Sequence, residues 1–297
     1  MNPAPLPGGQ LQGQIALVTG ATAFIGRAIA LELARRGAYV IVNGRNPEAG
    51  HAVTNEIAAN GYSATFEQAD LTNSDAVRAM VDRVAERHGR LDILVASGAG
   101  ASADSPSFRL FKEMSDGDFD NYIRAHWLTR AFAIQAAARV MARHGRGKIV
   151  AVGTDAGRVA TVGESFIGGA TRPSSMAARP SVLARELGRD GIRVNSVAMS
   201  YIWDAEPRWG PGSPELEGGH GAGMLENLRK RMLFPVHCQD IANAAAFFAG
   251  PESDAITGQT LSVNGGFCTP GRPCPPGPPG AGLSGPRRGL IGPWAHS

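Results

Sequence analysis

Ile15-Ala16-Leu17-Val18-Thr19-Gly20-Ala21-Thr22-Ala23-Phe24-Ile25-Gly26 is the stretch from which the rest of the chain reads. Its first four residues, Ile15–Val18, are an apolar run of strand length, and from Gly26 to Arg36 apolar residues recur with helical spacing. A strand that feeds a helix through a glycine-bearing turn sets backbone N–H groups and the positive end of the helix over the strand's carboxyl end. That is where a dinucleotide pyrophosphate is held, and glycine is needed there because a Cβ would block its approach. A simple strand–helix turn has the same pair of glycines, so the reading depends on the elements that come after it in the chain.

Those elements alternate. Tyr39–Asn43, Ala64–Gln68, Ile93–Ala96, Lys148–Val152, Ile192–Val197 and Thr260–Val263 read as strands. Pro47–Ala59, Ala76–His88 and a long Asp118–Arg143 read as helices between them. Strands separated by helices of this length require right-handed crossovers and a parallel sheet covered on both faces. The expected fold is α/β, a Rossmann-type doubly wound parallel sheet in a single domain spanning residues 14–267. Residues 1–13 are expected to be a flexible N-terminus. Cys268–Ser297 holds eight of the 20 prolines and seven glycines without periodicity, which predicts a disordered tail at 268–297.

Composition narrows the class. The chain has 297 residues, 43% hydrophobic and 19% charged, enough for a large core and too apolar for a disordered protein. No run approaches the roughly 20 apolar residues of a membrane span, and Met1–Gly13 lacks the basic start and apolar stretch of a secretory signal. Cys238, Cys268 and Cys274 have neither disulfide-framework nor metal-ligand spacing. A cytoplasmic protein with no membrane partner and no metal is expected. The net charge of +3, without a basic run interleaved with aromatics, argues against nucleic acid. Of the 29 basic residues only Lys112, Lys148 and Lys230 are lysines, a skew ascribed to genomic base composition.

Several marks occur together at consistent spacing. They are Thr19-Gly20 with Gly26, Asp70-Leu71, Asp92-Ile93-Leu94-Val95, Gly191-Ile192-Arg193-Val194-Asn195, and Thr257-Gly258-Gln259 with Asn264-Gly265-Gly266. With them the chain resembles the short-chain dehydrogenase/reductases over about residues 14–267. The resemblance implies that Thr19, Gly20, Thr22, Phe24, Ile25 and Gly26 form the cofactor's phosphate turn. It also implies that Asp70 bonds the adenine amino group, that Leu71 packs near the adenine, and that Ser97 lies at the cofactor beyond strand four. Asn43-Gly44-Arg45-Asn46 ends the second strand with no acid for a ribose 2′-OH, while Arg45 offers a guanidinium to a 2′-phosphate, so NADPH is the expected cofactor.

The chain departs from the family in two places. Phe24 replaces the middle glycine of the family's turn, a spacing that also resembles the cofactor-free halohydrin dehalogenases. The family's ketone-reducing Tyr-x-x-x-Lys pair is absent: four residues after Tyr39, Tyr62, Tyr122 and Tyr201 stand Asn43, Phe66, His126 and Ala205. Counting from the fifth strand, Thr154 takes the family's Ser slot, Ile167 the Tyr slot and Thr171 the Lys slot. His126 replaces the supporting Asn, Met199-Ser200 replaces Pro-Gly, Pro173 suits a first helical turn, and Pro180 would break a helix interior.

A nucleotide end kept beside a lost phenol fits reduction of a carbon–carbon double bond conjugated to a thioester. There the enolate oxygen needs hydrogen-bond donors rather than a tuned acid. The pattern resembles the enoyl-CoA reductases that act on 1-cyclohexenylcarbonyl-CoA. Thr154, His126, Ser165 and Tyr201 are the candidate catalytic donors, and a small-molecule acyl-CoA is the expected substrate. The resemblance implies that Asp204–Met232, entered at Trp203, is the candidate cover over it, where Arg208, Arg229, Lys230 and Arg231 could meet CoA phosphates. The resemblance implies a homodimer or homotetramer paired through the long helices after strands four and five. A halohydrin dehalogenase-like lyase, an unorthodox ketoreductase and a non-catalytic nucleotide-binding homologue remain open.

Overall fold

The computed structural model describes residues 9–98, 112, 114–155, 180–204 and 232–267. In chain order it contains β1 (Ile15–Thr19), α1 (Phe24–Arg35), β2 (Tyr39–Gly44), α2 (Pro47–Ala59), β3 (Ala64–Gln68), α3 (Ser74–His88) and β4 (Ile93–Ala96). Then come α4 (Asp116–Tyr122), α5 (Thr129–Arg143), β5 (Gly147–Thr154), α6 (Pro180–Leu187), β6 (Ile192–Met199), α7 (Cys238–Ala249) and β7 (Thr260–Val263). The strands form one sheet in the order β3-β2-β1-β4-β5-β6-β7, every described pairing parallel.

Both faces of the sheet are covered, as the unbroken apolar runs of the strands demand. Ala16 and Val18 of β1 join one core with Ile29 and Leu33 of α1 and Ile241 and Ala245 of α7. Leu17, between them, joins a second core with Val77 and Val81 of α3 and Ala133 and Ala137 of α5. Alternate residues of one strand therefore feed opposite layers. Helix starts follow local chemistry. Asn46 Oδ1 accepts from the N–H groups of Glu48 and Ala49 ahead of Pro47, and Asn73 Oδ1 accepts from those of Asp75 and Ala76. Ser115 and Asp118 form a reciprocal capping box on α4. Pro180 is the first described residue of α6.

Two expectations are corrected. The long helix Asp118–Arg143 is not continuous: a π-helical turn, Ile123–Leu128, separates α4 from α5. The N-terminal stretch is seated from Gly9 on rather than free through Gly13. Leu11 is fully buried, and its N–H donates to the carbonyl of Arg36, because the apolar side chain closes the bottom of the first core. The tail at 268–297 lies outside the described residues. Among those described, no helix is long and apolar enough to cross a membrane.

Candidate functional site

All the described strands are parallel, so their carboxyl ends share one edge of the sheet. Strand order reverses between β1 and β4, and at such a switch point a crevice opens at that edge. Thr19, the last residue of β1, spans it. Its Oγ1 donates to the carbonyl of Val95 and accepts from the N–H groups of Ser97 and Gly98 at 3.2 and 3.3 Å. Thr19 is 1% exposed, so it ties the two strands together beneath the site rather than facing a ligand.

Above Thr19 the turn is made by backbone packing. Gly20 has φ +61°, and a Cβ there would stand 2.4 Å from Cα of Gly98. A Cβ on Gly26 would stand 2.1 Å from the carbonyl oxygen of Gly20. Neither position admits any other residue. Leu71, buried, closes the other side of Gly98. Thr22 packs on Gly44 at the end of β2, and Ile25 leans on the first core. These contacts fit a pyrophosphate at the α1 N-terminus, because they leave bare backbone where it would lie.

Phe24 is the exception within that turn. It is the only non-glycine residue at positive φ among those described, at φ +46°, and its ring packs partly buried against the first core. The backbone has kept a glycine's conformation beneath a phenylalanine. Such a conformation costs about 1–2 kcal/mol in an L-residue.

Two residues that sequence reasoning missed complete this end. Gly98 is the floor against which Gly20 packs. Asn43, fully buried at the end of β2, accepts from the Gly20 N–H through Oδ1 and donates through Nδ2 to the carbonyls of Glu67 and Ala69. It ties the turn after β1 to the end of β3. Its signal was present as a polar residue closing an apolar strand. Arg45, next but one, is exposed, and its carbonyl accepts from Gln68 Nε2. Asp70 is exposed, and its Oδ1 is held by the N–H and hydroxyl of Thr72 at 2.9 Å each.

At the other end of the edge, Thr154 closes β5 beside Met199 of β6 and is 7% exposed. The next residue, Asp155, is 2% exposed. Its carboxylate accepts from Ser262 Oγ at 2.9 Å and from Asn264 Nδ2 at 2.6 Å, reaching across β6 to the end of β7. Asn264 Oδ1 accepts from the Gly266 N–H, its carbonyl accepts from Ser200 Oγ, and the Gly265 carbonyl accepts from the N–H groups of Leu233 and Phe234. Asp155 was not singled out from the sequence, where a lone acid after a strand carries no signal.

His126 lies half-buried in the π-helical turn, its imidazole stacked on the fully buried Tyr122 ring with centroids 4.3 Å apart. Tyr201 is 7% exposed and sits edge-on to Trp203 within the first core's surroundings, a packed position. Ser165 lies outside the described residues, as do Ile167, Thr171, Pro173, Arg208, Arg229, Lys230 and Arg231. The entry of the candidate cover is tied to the chain beyond it: the Trp203 N–H donates to the Val236 carbonyl, and the Cys238 N–H to Asp204 Oδ1. Burial and the adjacent Asp204 push the Cys238 thiol up to about 12, so it stays protonated and unreactive.

Comparison with known proteins agrees with this geometry. A family model described as Enoyl-(Acyl carrier protein) reductase matches residues 20–268. The 3-oxoacyl-[acyl-carrier-protein] reductase FabG of Escherichia coli K12 is 33% identical over 257 residues, covering 86% of this chain and 98% of its own. A short chain dehydrogenase from Burkholderia cenocepacia J2315, solved in complex with NADP, has a TM-score of 0.72 at 32% identity, over 86% of this chain and 98% of that one. A 7 alpha-hydroxysteroid dehydrogenase complexed with NADH and 7-oxo glycochenodeoxycholic acid has a TM-score of 0.73 at 30% identity, over 87% and 96%. With the switch-point crevice, the glycine-packed turn and these matches together, the chain belongs to the short-chain dehydrogenase/reductase family of oxidoreductases.

Proposed function

We propose that this protein is a cytoplasmic reductase that uses NADPH to reduce the carbon–carbon double bond of an enoyl-CoA thioester. The observation that supports it most is an asymmetry. The nucleotide end keeps its backbone cradle at Gly20, Gly26 and Gly98, while the chain contains no Tyr-x-x-x-Lys pair. A ketoreductase needs an acid for the alkoxide it forms, whereas an enolate is held by hydrogen-bond donors.

Gly20 and Gly26 would admit the pyrophosphate, Arg45 would meet the 2′-phosphate, and Leu71 with Asp70 would border the adenine. When bound, the nicotinamide supplies the hydride equivalent to the substrate's Cβ. This chain's own residues do the remainder. The Thr154 hydroxyl would donate a hydrogen bond to the thioester oxygen as negative charge gathers there, and the His126 imidazole would pass a proton from solvent water to Cα. The family model and the FabG relative are named for acyl groups on a carrier protein. A thioester is common to both carriers, and CoA is the one proposed here.

The test is NADPH oxidation with crotonyl-CoA and acetoacetyl-CoA side by side. Faster turnover of the enoyl thioester is expected, and faster turnover of the ketone overturns the reading. NADPH titration separates it from a cofactor-free lyase, which would show no saturable binding. We also propose assembly as a homodimer or homotetramer, and light scattering that finds only monomer at micromolar concentration overturns that.

A further inference from the structure

The π-helical turn Ile123–Leu128 breaks the regular i→i−4 bonding between α4 and α5, so carbonyls at the junction need donors from elsewhere. Side chains of the next turn supply them. Thr129 Oγ1 donates to the Ala125 carbonyl at 3.0 Å, and Arg130 Nη1 donates to the His126 carbonyl at 2.7 Å. Thr129 is fully buried and Arg130 is 6% exposed. A threonine hydroxyl commonly bonds back to the i−4 carbonyl of a helix. A guanidinium in that role is another matter, since burying a charge is costly and an aliphatic side chain would fill the space without it. One N–H of that guanidinium, on Nη1, is given to the carbonyl of the residue whose imidazole lies against Tyr122.

The place of the turn follows from topology. The chain leaves β4 at the carboxyl edge and enters β5 at its amino end, so α5 runs back along the sheet, packed on both strands. Its first turn, with Arg130, therefore stands at the same edge as Thr154. We infer that Arg130 is a positioning residue: by holding the His126 carbonyl across the π-helical turn, it fixes the imidazole at the carboxyl ends of β4 and β5. The inference rests on the reading of His126 under the proposed function and adds the residue that sets its place.

The test uses the full chain with NADPH and crotonyl-CoA, and reads kcat, KM and the His126 ring resonances, the latter assigned by their loss in His126→Gln. His126→Gln is expected to lower kcat by about 10²-fold, the scale of a lost general acid. Arg130→Met is expected to lower kcat by about tenfold, the scale of a displaced catalytic group, with the KM for NADPH unchanged. It should also shift the His126 resonances. Arg130→Lys, which can still offer one N–H, should recover part of both. Thr129→Val, nearly the same shape without the hydroxyl, should move both in the same direction by less, and it stands in if Arg130→Met does not fold. His126 resonances that superimpose on wild type in Arg130→Met overturn the inference, as does a wild-type kcat in that variant when His126→Gln has lost activity. A wild-type kcat in His126→Gln instead overturns the catalytic reading of His126, and the ring shift alone then decides whether Arg130 sets its place.

Discussion

The two ends of the crevice are built from different materials. Around Gly20, Asn43 and Gly98 the site is backbone against backbone, and the side chains that matter, Thr19 and Asn43, are buried ties between strands. Next to Thr154, and in the π-helical turn that carries His126, it is side chain against side chain: Asp155 with Ser262 and Asn264, His126 with Tyr122. A site made of backbone takes a side chain only where there is room for one, as at Phe24 with its φ of +46°, and not at Gly20 or Gly26. A site made of side chains changes its chemistry when those change. The chain combines a glycine-packed turn after β1 with the absence of any Tyr-x-x-x-Lys pair.

Four measurements put that contrast at risk, in descending order of the change each should produce. Thr154→Val removes the hydroxyl at the side-chain end. It should cost about 10²–10³ in kcat, the usual loss for one oxyanion donor, while NADPH binding measured by titration is kept. Unchanged kcat would leave the only hydroxyl in the family's Ser slot idle.

Arg45→Asp is aimed at the other end. If Arg45 meets the 2′-phosphate as proposed, this removes a guanidinium–phosphate pair of roughly 1.5–3 kcal/mol, about one to two powers of ten in affinity, so NADPH binding should weaken while NADH binding changes little. A wild type that already prefers NADH refutes the assignment of Arg45.

Phe24 tests the backbone claim itself. Phe24→Ala loses the ring and keeps a Cβ at positive φ, whereas Phe24→Gly loses both. Urea denaturation should therefore find the glycine variant more stable than the alanine variant by about 1 kcal/mol, the cost of the left-handed conformation. Equal stabilities would mean that the turn relaxes when the ring leaves.

The smallest change concerns pH, away from both ends. Burial pushes the His88 pKa down, the neighbouring Arg87 adds to this, and its ring stacks on Tyr39 with centroids 4.7 Å apart. A histidine whose folded pKa is depressed favours the neutral form. Its contribution is present above the unfolded value of about 6.5 and is lost as pH falls through that value toward the folded one. Denaturation curves at pH values of about 7.5 and about 5.5, either side of that unfolded value, should show a smaller acid loss in His88→Gln than in wild type. An identical loss assigns the acid sensitivity elsewhere.

Much of the frame was legible in the residues. Pro47–Ala59, Ala64–Gln68, Ile93–Ala96 and Thr260–Val263 end where apolar runs and turn residues say they should. The reason is that each signal lies within a few neighbours: Asn46 caps its own helix, and a strand buried on both faces must be apolar throughout. The glycine turn was legible for the same reason, since Gly20 and Gly26 are required by close approaches at the turn. Tertiary structure alone decided the rest. Asp118–Arg143 reads as one helix because a single π-helical turn barely disturbs its apolar spacing. The break shows only when Tyr122 is buried and Arg130 finds the His126 carbonyl. Asp155 is an unremarked acid until folding brings Asn264, 109 positions away, to its carboxylate, and Asn43 is a polar strand end until the Gly20 N–H arrives. Periodicity records what a residue does with its neighbours in the chain, and these contacts are made with residues the chain reaches only after the sheet has closed.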